Sequence, residues 1–222
     1  MAATRTRRAA AGAVDHRSAR ERLLAAADEL FYAEGVQTVG IDRIIERAGV
    51  AKASLYNTFG SKEELVRAYL AGRHAGTTER LLRAVESAPD PRSRLLAIFE
   101  TQGELFAQEG FHGCAFVSAS AETPPGSSVE RAADDYRAWI LALFTDLARQ
   151  AGAADPAMLG RQLQLVYDGA GLGARMDRTS QAARTARAMA ETLLDAAIPA
   201  GVPVPASRFP DARRGPAEHR DR

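Results

Sequence analysis

The sequence predicts an all-α protein of about nine helices, a small three-helix unit followed by a larger helical body, and three observations carry that expectation. Apolar residues recur at helical spacing along nearly every long segment. Capping and stop residues punctuate those segments where helices should begin and end. No segment alternates apolar and polar residues as a half-buried strand would.

Taken in order, Leu23, Leu24, Ala27, Leu30 and Phe31 form the stripe of a first helix, with Ser18 as its N-cap and Gly35 as its stop. Ile41, Ile44, Ile45 and Ala48 make a short second helix ended by Gly49, where a left-handed residue costs glycine little. Val50 and Ala51 turn the chain tightly into a third helix, Lys52 to about Thr58, closed by Gly60. Ser61 and Glu64 have capping-box spacing and open a long fourth helix through Leu65, Val66, Tyr69, Leu70, Leu81, Leu82 and Val85. The prolines of "SAPDPRS" break it, and a fifth helix runs from about Arg92 to Gln108. After "EGFHGC" comes a short apolar segment, Cys114 to Ala121. Ser127 or Ser128 caps a seventh helix carrying Val129, Ala132, Ala133, Tyr136, Trp139, Ile140, Leu143, Phe144 and Leu147. Asp155 followed by Pro156 is an N-cap with proline at N1, the start of an eighth helix. A ninth, about Gln181 to Ala197, puts Ala186, Met189, Ala190, Leu193, Leu194 and Ala197 on one face. From Pro199 onward, proline and charge predict disorder.

With 222 residues, 46% hydrophobic and 26% charged, the chain has room for a small domain and a larger one. A formal net charge of +1 excludes a polycation that binds nucleic acid indiscriminately. Charge is nevertheless uneven: Arg5, Arg7, Arg8, Arg17 and Arg20 face the single acid Asp15 in a segment poor in large apolar residues, which reads as a flexible basic arm or as a plain unstructured start. Of 29 basic residues only Lys52 and Lys62 are lysines. Cys114 is the sole cysteine, so no intramolecular disulfide can form and a reducing cytoplasm is the expected compartment. No apolar run is long enough to span a bilayer, and no membrane partner is expected.

His112 and Cys114 supply two metal ligands where a structural zinc takes four. As nucleophile and base they have no orienting acid in sequence, and a redox-sensing thiol would need exposure and a lowered pKa. A buried, inert cysteine is expected, with no metal site, no cofactor and no catalytic residues.

Three helices with tight turns, the second and third about two turns long, have the layout of a helix-turn-helix. At 100° per residue, Leu55 and Phe59 define the inner side of the third helix. Ala53, Ser54 and Asn57 point the other way, Lys52 and Tyr56 lie along one flank, and Thr58 along the other. Such an outer face suits a major groove: Asn57 can pair bidentately with adenine, Ser54 can bond a base or phosphate, and Ala53 can touch a thymine methyl. Lys52, the Tyr56 hydroxyl and Lys62, in the first turn of the fourth helix, stand where phosphates would lie. Short helix-turn-helix pairs also serve as scaffolding, and geometry alone leaves that alternative open.

The run "GVQTVGIDRIIERAGVAKASLYNTFGSKEELVRAYL", Gly35 to Leu70, resembles the DNA-binding domain of the TetR family of transcriptional regulators through "AGV", "K-x-S-L-Y-x-x-F" and "S-K-E-E-L". That resemblance implies that Lys52, Ala53, Ser54, Tyr56, Asn57, Thr58 and Lys62 include the DNA contacts, with Gly40, Ile41 and Arg43 touching backbone or a base. Three positions depart from the family's pattern: Gly40 lacks the common hydroxyl, Ala51 stands where a capping serine is frequent, and Thr58 replaces a frequent histidine. The implied division is a basic arm at 1–17, a helix-turn-helix DNA-binding domain at 18–64, an effector-binding and dimerisation domain at 65–198, and a disordered tail at 199–222.

Further on, "GCAFVSASAE" and "QLVYDGAGLGARM" resemble segments of a TetR subgroup whose C-terminal domains bind small molecules and dimerise. The family architecture implies a four-helix bundle made by the last two helices and their twins. Gly169, Ala170, Gly171, Gly173, Ala174, Ala183, Ala186 and Ala190 would permit close helix approach there, local kinking being the alternative. Candidates for an apolar effector pocket are Phe99, Phe106, Phe116, Tyr136, Trp139 and Tyr167, with Gln102, Ser118 and Asp168 as polar anchors; each aromatic residue taken singly reads as plain core, and it is their concentration on helices five to eight that points to a pocket. The expected protein is a homodimeric cytoplasmic repressor that binds a near-palindromic double-stranded operator and responds to a small-molecule effector. A ligand-independent activating or architectural DNA binder, and a small-molecule binding protein or enzyme on a relic DNA-binding fold, are the alternatives.

Overall fold

The computed structural model describes residues 17–199. The basic arm up to residue 16 and the tail from residue 200 lie outside the described residues. Among those described there are nine α-helices and no strand, as the periodicity predicts. The chain divides into two compact units between Tyr69 and Leu70, within its fourth helix.

In the first unit, α1 (Ala19–Glu34) opens on a complete capping box: Ser18 Oγ accepts from the Glu21 N–H, and the Glu21 carboxylate accepts from the Ser18 N–H. Its buried side is Leu23, Ala26, Ala27, Leu30 and Phe31. Two short helices follow, α2 (Ile41–Ala48) and α3 (Lys52–Phe59), both packed on α1 and on each other. Neither N-cap, Gly40 or Ala51, offers a side-chain hydrogen bond, so these helices depend on tertiary burial of Ile44, Ala48 and Leu55. Gly49 makes the turn between them at φ 62°, a conformation that a side chain would strain. The fourth helix, α4 (Lys62–Ser87), starts where Ser61 Oγ accepts from the Glu64 N–H; the Glu64 carboxylate pairs with Arg67. Its opening turns bury Leu65, Val66 and Tyr69, the last with its ring centroid 5.6 Å from that of Phe31.

The second unit holds the rest of α4 with α5 (Pro91–Phe106), α6 (Ala115–Ala121), α7 (Ser128–Gln150), α8 (Pro156–Asp177) and α9 (Gln181–Ala197). Asp90–Pro91 starts α5 by the same device that Asp155–Pro156 uses for α8: the aspartate accepts from the N–H three residues on, and proline fills N1. Ser127, not Ser128, caps α7. Helix α8 is central, packing on α5, α7 and α9, while α6 lies on α7. Ion pairs Arg92–Asp195 and Arg187–Glu100 fasten α9 to α5 at the surface.

Two expectations about faces need correction. The inner side of α9 is Ala183, Ala186, Ala190 and Leu194, and Met189 points outward at 51% exposure. The small residues read as room for a twin are largely spent within the chain: Ala170 and Ala174 of α8 are buried with those alanines, a Cβ on Gly103 would stand 3.0 Å from Ala183 Cβ, and one on Gly173 would stand 3.4 Å from Ala182 Cβ. A stripe of small residues does not say which neighbour it serves, because glycine and alanine fit an intrachain crossing as well as an intermolecular one.

The tightest such crossing is α7 against α8, where a Cβ on Gly160 would lie 3.1 Å from both Cα and N of Thr145. Helix propensity alone favours Gly160→Ala by about 1 kcal/mol, but Thr145 backbone cannot move aside as a flexible side chain would, and overpacking costs about 1–3 kcal/mol. We expect Gly160→Ala to destabilise the protein, lowering the midpoint of urea denaturation; a raised midpoint would show that the crossing relaxes freely.

Candidate nucleic-acid interface and effector region

Leu55 is the sole fully buried residue of α3, and it sets the rotation of that helix. Opposite it, Lys52, Ala53, Tyr56, Asn57 and Thr58 are exposed and Ser54 is half-exposed. Phe59, expected inside, is half-buried, with the Arg20 guanidinium 5.6 Å from its ring centroid in a cation–π contact. The Thr58 hydroxyl donates to the Ser54 carbonyl at 2.6 Å, so its donor is spent within the helix. Asn57 carries its amide into solvent at the middle of the face. Tyr56, at 45% exposure, is the one large exposed apolar side chain among the described residues of this unit.

The start of α2 contributes Gly40, exposed and without a side-chain cap, then half-buried Ile41 and exposed Arg43. Cations of this surface are already partnered. Arg43 pairs with both carboxylate oxygens of Glu34. Lys52 Nζ lies 2.8 Å from Asp42 Oδ1, and this hydrogen bond, followed by the charge of Asp42, raises the Lys52 pKa. Lys62 Nζ donates to the Gln37 carbonyl at 3.4 Å. Sequence reasoning missed Asp42 and Glu34; adjacency in sequence gave no signal, because each pair joins different elements.

In the second unit the candidate effector residues separate into three groups. Phe116 and Tyr136 stack face to face, centroids 4.0 Å apart, with the His74 ring edge-on to both and 5.5 Å from Trp139. Phe99 and Tyr167 pack with Phe144, at 5.8 Å and 5.9 Å from it respectively. Phe106 belongs to neither group and packs on Phe111 at 4.8 Å. Tyr136 and Tyr167 each perturb the other's phenol, which relates the first two groups. Burial raises both phenol pKa values, that of Tyr167 to about 12, so both remain neutral hydrogen-bonding groups.

Around these rings the polar anchors are differently disposed. Gln102 is buried; its Nε2 donates to the Tyr167 carbonyl at 2.9 Å and its Oε1 has no partner. Asp168 pairs with Arg137 at 2.6 Å, and Gln164 Nε2 donates to the Arg137 carbonyl at 2.9 Å. Ser118 is held by Arg175, whose Nη1 lies 3.0 Å from its Oγ and also donates to the His112 carbonyl. Cys114 is half-buried rather than fully buried, and desolvation raises its thiol pKa, leaving a protonated and weakly nucleophilic group. No cluster of His, Cys, Asp or Glu suited to a metal ion occurs among the described residues. A separate cleft of about 590 Å³ between α4 and α5 is lined by Arg80, Arg83, Glu100, Thr101, Glu104 and Arg187, with none of the aromatic candidates. Sequence reading did not single out His74 or Arg137, and took Phe144 only as part of the α7 stripe, because helical spacing does not reveal which residues of other helices a side chain meets.

Comparison with known proteins bears on both regions. The family model described as bacterial regulatory proteins, tetR family, matches residues 23–69. The chain is similar to SCO4454, a TetR-family transcriptional regulator from Streptomyces coelicolor: the two are 35% identical, the match covers 82% of this chain and 96% of that one, and the TM-score is 0.79. It is also 29% identical over 185 residues to the HTH-type transcriptional repressor NemR of Escherichia coli (strain K12), covering 79% of this chain and 93% of NemR. The crystal structure of E. coli NemR in its reduced form matches with a TM-score of 0.73 at 28% identity, over 83% of this chain and 100% of that one.

His74 gives the aromatic region a measurable pH dependence. Burial lowers its pKa below 6.5, outweighing the opposing charge of Asp135, so the folded state prefers the neutral ring. Stability from this group is present above the unfolded pKa and is lost as pH falls through the folded one. Between about pH 7 and pH 5 the urea midpoint should therefore fall more steeply for the native protein than for His74→Gln. Equal slopes would remove His74 from the acid response.

Proposed function

The chain belongs to the TetR family of transcriptional regulators, and we propose that it acts as a homodimeric repressor occupying a near-palindromic operator and released by a small apolar or aromatic effector. Its relatives are regulators, and the chain is a regulator rather than an enzyme. The carrying observation is the orientation of α3: Leu55 is sealed inward, and Asn57, Ala53 and Ser54 form a small polar outer face. That face fits a major groove, with Asn57 reading a base edge and Lys52, Tyr56 and Lys62 meeting phosphates. Gly40, Ile41, Arg43 and Thr58 complete the proposed contact surface. The repressive sense follows NemR, a transcriptional repressor.

A dimer is supported by the outer side of α8. Met158, Leu165 and Leu172 are spaced seven apart, Met176 follows four later, and Leu165 is 74% exposed. Residues at that spacing share one side of a helix, and Met189 adds a fifth exposed apolar side chain on α9. Of the large apolar side chains exposed among the described residues, most lie on these two helices, which supports association through this surface. A symmetric pairing would hold two copies of α3 about 34–36 Å apart, one duplex turn.

The effector is assigned to the rings around Tyr136 and Tyr167. There the unpartnered Gln102 Oε1 and the two buried phenols provide few but directional polar groups among apolar walls. Effector binding would favour one of two dimer geometries by the difference in its affinity for them.

Selection of bound sequences from a random duplex pool, with and without candidate effectors, tests the whole proposal. Asn57→Ala is expected to relax preference at one base pair by about 1–3 kcal/mol, whereas Lys62→Ala should weaken enriched and random duplexes alike and make the salt slope shallower by about one. Identical behaviour of the two variants would refute these roles. Leu165→Asp should convert the protein to monomer in sedimentation equilibrium and abolish tight operator binding; a dimer that persists would move the interface elsewhere.

A further inference from the structure

We propose that Asp42 is a built-in competitor for the DNA backbone, holding Lys52 in the unbound protein and thereby lowering affinity for duplex DNA of any sequence. This inference rests on the DNA-binding reading above. Asp42 is the second residue of α2 and Lys52 the first of α3, so the pair spans the turn of the helix-turn-helix. The N–O distance is 2.8 Å, and the side chains are 56% exposed for Lys52 and 80% for Asp42.

At such exposure the pair does little for folding, since water and salt screen both charges and ordering two long side chains offsets the attraction. Against a polyanion the same carboxylate has a large lever. For Lys52 to meet a phosphate it must leave Asp42, and Asp42 then remains unpaired beside a closely spaced row of negative charges. Exchange of carboxylate for phosphate brings little net neutralisation of the duplex, so few counterions are released and the favourable salt-dependent part of binding shrinks. Arg43 is held in the same way by Glu34. Two of the cations placed to meet phosphates are thus paired inside the unit. In a chain whose formal net charge is only +1, this keeps sequence-independent attraction low and leaves discrimination to base-edge contacts. Neither pair blocks the α3 face, and Asn57 and Ala53 remain exposed.

Full-length native protein, Asp42→Asn, Lys52→Ala and the double variant are to be titrated by fluorescence anisotropy against two labelled duplexes of about 30 base pairs, one random and one enriched by the native protein, at about 50 and 200 mM potassium chloride. Asp42→Asn is expected to bind both duplexes about threefold tighter at the lower salt, with a salt slope steeper by about one. In the Lys52→Ala background that gain should fall to less than half. Unchanged affinity and slope would overturn the proposal, as would a gain undiminished in the Lys52→Ala background, which would be diffuse charge repulsion. Weaker binding confined to the enriched duplex would also overturn it, making Asp42 a base-reading acceptor. If the native protein and all variants bind neither duplex, the DNA-binding reading itself fails and this inference with it.

Discussion

One buried leucine orients the surface on which the proposed function depends. Helix α3 is eight residues long, too short to hold itself in water, and Leu55 is the single residue it buries completely. Because each residue turns the helix by 100°, sealing Leu55 against α1 and α2 fixes where every other side chain points. A one-residue slip would turn Asn57 by more than a quarter of a circle. The uncapped starts of α2 and α3 make this anchoring more necessary, since neither helix gains from a side-chain cap.

The second unit follows a different logic. Its helices approach closely because glycine and alanine stand at the crossings, Gly160 beneath Thr145 and Gly103 beside Ala183. Helix α8 divides its large apolar side chains between two sides, Leu159, Leu163 and Tyr167 inside and Met158, Leu165, Leu172 and Met176 outside. Aromatic residues of α6, α7 and α8 pack on one another in pairs, Phe116 on Tyr136 and Phe144 on Tyr167.

Helices and their ends were legible because capping is local. Ser18, Asp155–Pro156, Gly35 and Gly49 announce boundaries through chemistry confined to a few neighbouring residues. The outward face of α3 was legible for the same reason, as periodicity alone separates Leu55 from Asn57. What escaped were relations between elements. Met189 was placed on one face with Ala186 and Ala190, although only the alanines turn inward, because a helical wheel shows one stripe and not which neighbour claims it. The aromatic candidates were read as one lining, although Phe106 turns to Phe111 while Phe116 stacks on Tyr136. Asp42 and Glu34 drew no notice because an acid on a helix surface acquires meaning only from the cation across from it.

The scarcity of lysine has a practical corollary. Apart from histidine, every other basic side chain is a guanidinium, so the only side-chain primary amines of this protein are those of Lys52, which opens α3, and Lys62, which opens α4. Reagents that acylate or reductively alkylate amines therefore reach, an α-amino terminus aside, only side chains of the surface proposed to meet DNA, and leave every arginine untouched.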